Sequence, residues 1–134
     1  MRGGRPQWEF EPGLDRLVLK NVEEDRLHFT TSLAAGMANA DVVFIAVQTP
    51  MSETGEADLT FVMKVGEEIG ELLDGYKVIV TKSTVPVGTN AELKKVIGAK
   101  LKADVPFDMA SNPEFLREGS SIEDFMRPDR VVIG

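Results

Sequence analysis

The sequence predicts an α/β protein with a Rossmann-like, doubly wound parallel sheet, and three observations predict it. Val42-Val43-Phe44-Ile45-Ala46-Val47 is an unbroken apolar run after Asp41, the pattern of a strand buried on both faces, as in parallel sheets covered by helices. Segments of strand character alternate along the chain with segments of helical periodicity, the signature of βαβ units. Several strand exits combine proline with hydroxyl or carboxylate side chains, and ligands of open parallel sheets bind at strand exits.

Each element has its own warrant. Glu11-Pro12-Gly13 introduces a helix in which Leu14, Leu17, Val18 and Val22 recur at helical spacing, with Pro12 suited to its first turn. Leu27-His28-Phe29-Thr30 reads as a strand, and Ser32 caps a short Ala-rich helix. After the Val42–Val47 strand and a polar loop at Ser52–Glu56, Asp58 stands at an N-cap position. Leu59, Val62, Val65, Gly66, Ile69 and Leu73 then form one helix face, ended by Gly75. Lys77–Thr81 is the next strand. Thr89 with Glu92 has the capping-box spacing for a helix through Ile97, closed by Gly98. Phe107–Ala110 is a strand, Ser120 and Glu123 form a second capping box, and Arg130–Ile133 is a last strand. Residues 1–134 are read as one domain with no second domain.

Composition narrows the function. The chain has 134 residues, 43% of them apolar, enough for one buried core. A net charge of -7 and no concentrated basic cluster oppose binding to nucleic acid. No apolar run approaches the ~20 residues that span a bilayer, and no basic-then-apolar leader opens the chain, so no membrane association and a cytoplasmic location are expected. Without cysteine there is no disulfide, thiolate metal ligand or cysteine nucleophile here. The lone His28 has no second ligand at metal spacing, and Trp8 and Phe10 read as packing residues.

The chemistry is expected at three loops: Gln48-Thr49-Pro50, Lys82-Ser83-Thr84-Val85-Pro86-Val87-Gly88, and Ser111-Asn112-Pro113-Glu114-Phe115-Leu116-Arg117-Glu118. Proline fixes the backbone and so holds neighbouring polar groups in place. Each loop also has a plainer reading. Thr49-Pro50 alone is an ordinary strand exit, and Ser83 and Thr84 could satisfy backbone groups nearby. Glu114 and Glu118, four apart, would share a helix face and could favour the positive end of its dipole.

Ser83-Thr84-Val85-Pro86-Val87-Gly88, then Ser111-Asn112-Pro113-Glu114-Phe115-Leu116-Arg117-Glu118-Gly119, then Pro128-Asp129-Arg130-Val131-Val132-Ile133-Gly134, together resemble the UDP-glucose dehydrogenase family. Glu11-Pro12-Gly13-Leu14 and Ala40–Val47 with Thr49-Pro50 carry the resemblance over essentially the whole chain. It implies part of an NAD-binding domain. The implied reaction oxidises the C6 alcohol of a UDP-sugar to a carboxylate with two NAD+, through a cysteine-bound thiohemiacetal and thioester. By the same resemblance Thr84 and Glu114 are catalytic, Glu114 handling water and protons in thioester hydrolysis. Val47, Thr49, Pro50, Ser83, Thr84 and Glu118 match cofactor-contacting positions, and Glu114, Phe115, Leu116, Arg117 and Glu118 the sugar-nucleotide pocket. Gln48 departs from the family, where a smaller residue is common.

The sequence contains no G-x-G-x-x-G turn, and Gly3-Gly4 neither follows a strand nor opens a helix. The first βαβ unit is therefore read as missing, which would cut the Leu27–Thr30 strand off from the rest. The family's cysteine, lysine and asparagine partners would lie beyond Gly134. An inactive isolated chain is expected, with unpaired edges that favour a homo-oligomer. Relatives acting on GDP-mannose or UDP-N-acetylmannosamine, and a noncatalytic binding remnant, are the alternatives.

Overall fold

The structure, a computed structural model, describes residues 11–51, 55 and 57–134. Gly3-Gly4, Trp8, Phe10 and most of the Ser52–Glu56 loop lie outside the described residues. The elements in order are α1 (Leu14–Glu23), α2 (Leu33–Met37), β1 (Val42–Ile45), α3 (Thr60–Leu72), β2 (Lys77–Thr81), α4 (Thr89–Lys100), β3 (Phe107–Ser111) and α5 (Ser121–Met126). The described residues divide into two units, 30–114 with 132–134, and 11–29 with 115–131. Among the described residues, no helix is long and apolar enough to cross a membrane.

The first of these units holds the sheet, three parallel strands in the order β1-β2-β3. Side chains alternate across a strand, so the register places Val43, Ile79 and Met109 on one face and Phe44, Val80 and Ala110 on the other. Ile45 and Ile79 join Met37 of α2, Val62, Ile69 and Leu73 of the α3 segment, and Leu93 and Ile97 of α4 in a single core. Burying each such side chain contributes roughly 1.5–3 kcal/mol. The helices of this unit thus pack on one face. On the opposite face Val42 and Phe44 of β1 stay 45% and 57% exposed, which corrects the expectation of a strand buried on both sides.

The Ser32 hydroxyl accepts the Ala35 N–H at 3.2 Å and caps α2. Asp58 accepts the Thr60 N–H at 2.9 Å, although the capping backbone geometry falls one residue later, at Leu59. The helix ends at Leu72 when Leu73 turns extended, before Gly75 is reached. Other expectations fail. Thr89 and Glu92 form no capping box: Gly88, at φ 93°, takes the N-cap position and Thr89 is buried as the first helical residue. Gly98 does not close α4, which runs on to Lys100. Pro12 lies outside α1, whose N-cap is Gly13. Leu27–Thr30 and Arg130–Ile133 are not strands among the described residues, because a strand exists only where a neighbour supplies its hydrogen bonds. Just beyond the second segment, Gly134 exchanges both backbone bonds with Ser111 at 2.6 and 3.0 Å.

Helices α3 and α4 approach closely because Gly66 and Gly70 carry no side chain. A Cβ on Gly70 would sit 2.4 Å from the Ile97 carbonyl oxygen and 2.8 Å from Lys100 Cβ. One on Gly66 would meet Leu93 Cδ1 at 2.3 Å, the end of a side chain that can turn away. Gly98 has open space around it. Gly70→Ala should therefore destabilise by about 1–3 kcal/mol, Gly66→Ala by less, and Gly98→Ala should stabilise by about 0.5–1 kcal/mol through helix propensity. Urea midpoints at unchanged m-value read this order; Gly70→Ala no worse than Gly66→Ala would refute it.

Candidate functional site

The carboxyl ends of β1 and β2 carry the first two loops. Strand β2 is the interior strand, and its last residue, Thr81, is fully buried. A buried hydroxyl needs a partner, and Thr81 Oγ1 donates to Asn90 Oδ1 at 2.7 Å, fastening the strand exit to the first turn of α4. The Lys82 and Ser83 amides then donate to the Ile45 carbonyl at 2.8 and 3.2 Å. Ser83 Oγ donates to the Val47 carbonyl at 2.6 Å, and Thr49 Oγ1 donates to the Thr84 carbonyl at 3.1 Å. Pro50 is held as its carbonyl accepts the Asp58 N–H at 2.8 Å, beside a bridge between Met51 and Ala57.

Val47, Thr49, Pro50, Ser83 and Thr84 are therefore brought together in one hydrogen-bonded shelf. The hydroxyls of Ser83 and Thr49 serve to lock the loops, as the plainer reading allowed. Thr84 is different: its side chain is exposed and its hydroxyl makes no bond among the described residues. Glu114 belongs to the same unit, two residues beyond Asn112. Asn112 is anchored three times, by its amide to the Thr81 carbonyl at 3.0 Å, by Nδ2 to the Val132 carbonyl at 2.9 Å, and by Oδ1 accepting from Lys82 Nζ at 3.4 Å.

Phe115, Leu116, Arg117 and Glu118 fall in the other unit. The segment 112–117 is not helical, so Glu114 and Glu118 do not share a helix face; that expectation is corrected. Proline at 113 biases Asn112 away from helical backbone. Arg117 is engaged by Asp124, with Nη2 on Oδ1 at 2.6 Å and Nε and the backbone N–H on Oδ2, each at 3.0 Å. The Arg130 guanidinium lies 4.9 Å from the centre of the Phe115 ring.

The same unit shows a cap that sequence reading missed. The Ser120–Glu123 capping box is absent. Instead the Glu11 carboxylate accepts the Gly119 N–H at 2.7 Å, the Ser121 N–H at 3.1 Å and the Ser121 hydroxyl at 2.7 Å. No local signal marks a pairing over 110 residues. A cleft of about 260 Å³ lies beside it, lined by Leu14, Leu17, Ile122, Phe125 and Met126 as well as Glu11 and Ser121.

The fold and shelf define a class: an open parallel α/β sheet with rigid polar loops outside its strand ends is a nucleotide-binding architecture. The chain belongs to the UDP-glucose/GDP-mannose dehydrogenase family, whose NAD binding domain matches residues 5–134. It is 54% identical over 125 residues to the UDP-glucose 6-dehydrogenase TuaD of Bacillus subtilis, spanning 93% of this chain and 27% of that protein. It also superposes on the UDP-glucose dehydrogenase of Pyrobaculum islandicum with a TM-score of 0.88 at 40% identity, covering 93% of this chain and 30% of that one. The GDP-mannose dehydrogenase of Pseudomonas aeruginosa gives 0.81 at 36%, over 92% of this chain and 30% of that one. The chain thus spans under a third of the length of these relatives.

NAD is accordingly the cofactor of this domain. The shelf fits one part of it, since an exposed hydroxyl on a backbone held at its carbonyl suits a nicotinamide carboxamide or ribose. At the start of α4 the Thr89 N–H is taken, donating to the Pro86 carbonyl at 3.2 Å.

The charge pairs of the second unit set an acid limit. Hydrogen bonds from the Arg117 side chain and then its amide hold Asp124 down to about 2, and those from the Ser121 hydroxyl and the Gly119 amide lower Glu11. Both carboxyls are lowered on folding, so their stabilisation is fully present above their unfolded values near 4 and is lost as pH falls toward 2. Protection of the Arg117 and Ser121 amides should hold from pH 7 to about 5 and fall between about 4 and 2, with Ile79 and Leu93 following later. Asp124→Asn should flatten that fall at Arg117, and an unchanged profile in this variant would exclude the pair as its cause.

Proposed function

We propose that this chain is the NAD-binding part of an NAD-dependent UDP-glucose 6-dehydrogenase. The observation that carries the reading is the shelf, where Ser83 and Thr49 lock two strand exits together and present the Thr84 hydroxyl. High identity to a UDP-glucose 6-dehydrogenase supports the choice of sugar nucleotide. The likeness to a GDP-mannose dehydrogenase keeps that substrate as the second reading.

The reaction converts a primary alcohol, two NAD+ and one water into a carboxylate, two NADH and three protons. When bound, NAD accepts the hydride of each oxidation. Val47, Thr49, Pro50, Ser83 and Thr84 would hold the cofactor, with Glu118 as a further contact. Thr84 orients the reacting centre, and Glu114 takes and returns protons as water enters. Phe115, Leu116 and Arg117, with Glu114 and Glu118, line the sugar-nucleotide site. Arg117 does so while held by Asp124. Residues 1–134 form one partial domain in this reading. A cytoplasmic location belongs to it, since NAD and nucleotide sugars are held there, and so does a homo-oligomer, in keeping with the exposed Phe44 and Val42.

Calorimetry on the pure chain tests the proposal. NAD+ should bind weakly, near the millimolar range that corresponds to about 4 kcal/mol. Thr84→Ala should weaken it about fivefold, the worth of one hydrogen bond of about 1 kcal/mol. UDP-glucose with NAD+ should yield no NADH, because the chain has no cysteine to carry the covalent step. Steady NADH formation would overturn the mechanism, and absence of NAD+ binding would overturn the site.

A further inference from the structure

The three strand exits of the sheet unit form one connected chain of hydrogen bonds. Thr49 and Ser83 join the β1 exit to the β2 exit. One contact between side chains joins the β2 exit to the β3 exit: Lys82 Nζ on Asn112 Oδ1, at 3.4 Å. Lys82 immediately precedes Ser83, and Asn112 stands two residues before Glu114. In register Thr81 pairs with Ser111, so Lys82 and Asn112 are the next residues along two adjacent parallel strands.

Asn112 is chemically suited to this place. Its acceptor faces Lys82 while its donor holds the Val132 carbonyl, and an amide offers the two on separate atoms. Its backbone N–H is spent on Thr81. Next to it Ser111 exchanges both backbone bonds with Gly134. Lys82 is half-buried, and among the described residues no carboxylate lies within ion-pair distance of it. A neutral amide is thus its partner. Partial burial strengthens that charge-assisted bond relative to one in water.

We propose that Lys82 and Asn112 are positioning residues that hold the Asn112-Pro113-Glu114 exit at a fixed place beside the Ser83-Thr84 exit. Pro113 carries the restraint forward, because its ring leaves little backbone freedom between the anchored Asn112 and Glu114. The functional weight of this pair rests on the role given to Glu114 above; the mechanical statement does not. Lys82→Met removes the cation and leaves Asn112 its Val132 bond. Asn112→Asp keeps an acceptor for Lys82 and loses the donor to Val132. The two variants therefore cut different halves of the same anchor.

Amide relaxation and hydrogen exchange on the 134-residue chain test it, without cofactor or sugar. In the unaltered chain the Glu114 amide should show the order parameter of rigid backbone, about 0.85, and in Lys82→Met and Asn112→Ala it should fall below about 0.6. Lys82→Arg should restore it. Asn112→Asp should leave Glu114 ordered while exchange at Ser111 and Gly134 accelerates at least about tenfold, the factor for loss of roughly 1.4 kcal/mol of protection. Ile79 and Leu93 amides report global stability. A disordered Glu114 in the unaltered chain, an unchanged Glu114 in Lys82→Met, or an equal loss at Ile79 and Leu93 would each overturn the proposal. Rigid coupling in a chain that binds neither NAD+ nor UDP-glucose would instead leave the inference standing and remove the functional reading.

Discussion

The structure of the sheet unit depends on the burial of β2. It is paired along its length on both sides, to β1 in the register Val42↔Val78 through Ile45↔Thr81 and to β3 from Lys77↔Phe107 to Thr81↔Ser111. With Ile79 and Thr81 fully buried, the strand has no freedom to shift without moving two neighbours and the helical layer. Its polar ends are satisfied in kind. Lys77 enters through the Ala40 carbonyl at 3.0 Å and Asp74 at 3.5 Å, and Thr81 leaves through Asn90. The loop that follows starts from a fixed point, as a binding shelf requires.

The helical layer is held to the same standard by absence of side chains. Gly66 and Gly70 let α4 lie against α3 so that Leu93 and Ile97 are wholly enclosed. That closeness places the first turn of α4, with Asn90, within reach of Thr81. Packing in the core and the rigidity of the shelf are therefore one arrangement seen at two ends of α4.

The two units hold themselves together by different chemistry. The strand exits are joined by hydroxyls, amides, carbonyls and one ammonium, with no carboxylate in these bonds. The unit of α1 and α5 relies on the carboxylates of Glu11 and Asp124. Acid therefore acts first on the unit that carries Phe115 to Glu118. Membership of the UDP-glucose/GDP-mannose dehydrogenase family gives these features a setting, with the NAD binding domain matched over residues 5–134.

By itself the sequence determined the α/β class, the parallel strands at Val42, Lys77 and Phe107, the apolar face of α3, the Ser32 cap and the resemblance carried by the strand-exit motifs. Each is a matter of periodicity or of contacts within about one helical turn, where covalent geometry limits the choices. Only the tertiary structure decided that Leu27–Thr30 is not a strand, that Gly88 rather than Thr89 caps α4, that Glu11 caps α5, and that Lys82 meets Asn112. A strand needs a neighbour, and a carboxylate or an amide bonds whatever the fold sets beside it. The partners here stand 30 and 110 residues away along the chain. Their proximity comes from strand register and helix packing, which no local run of residues encodes.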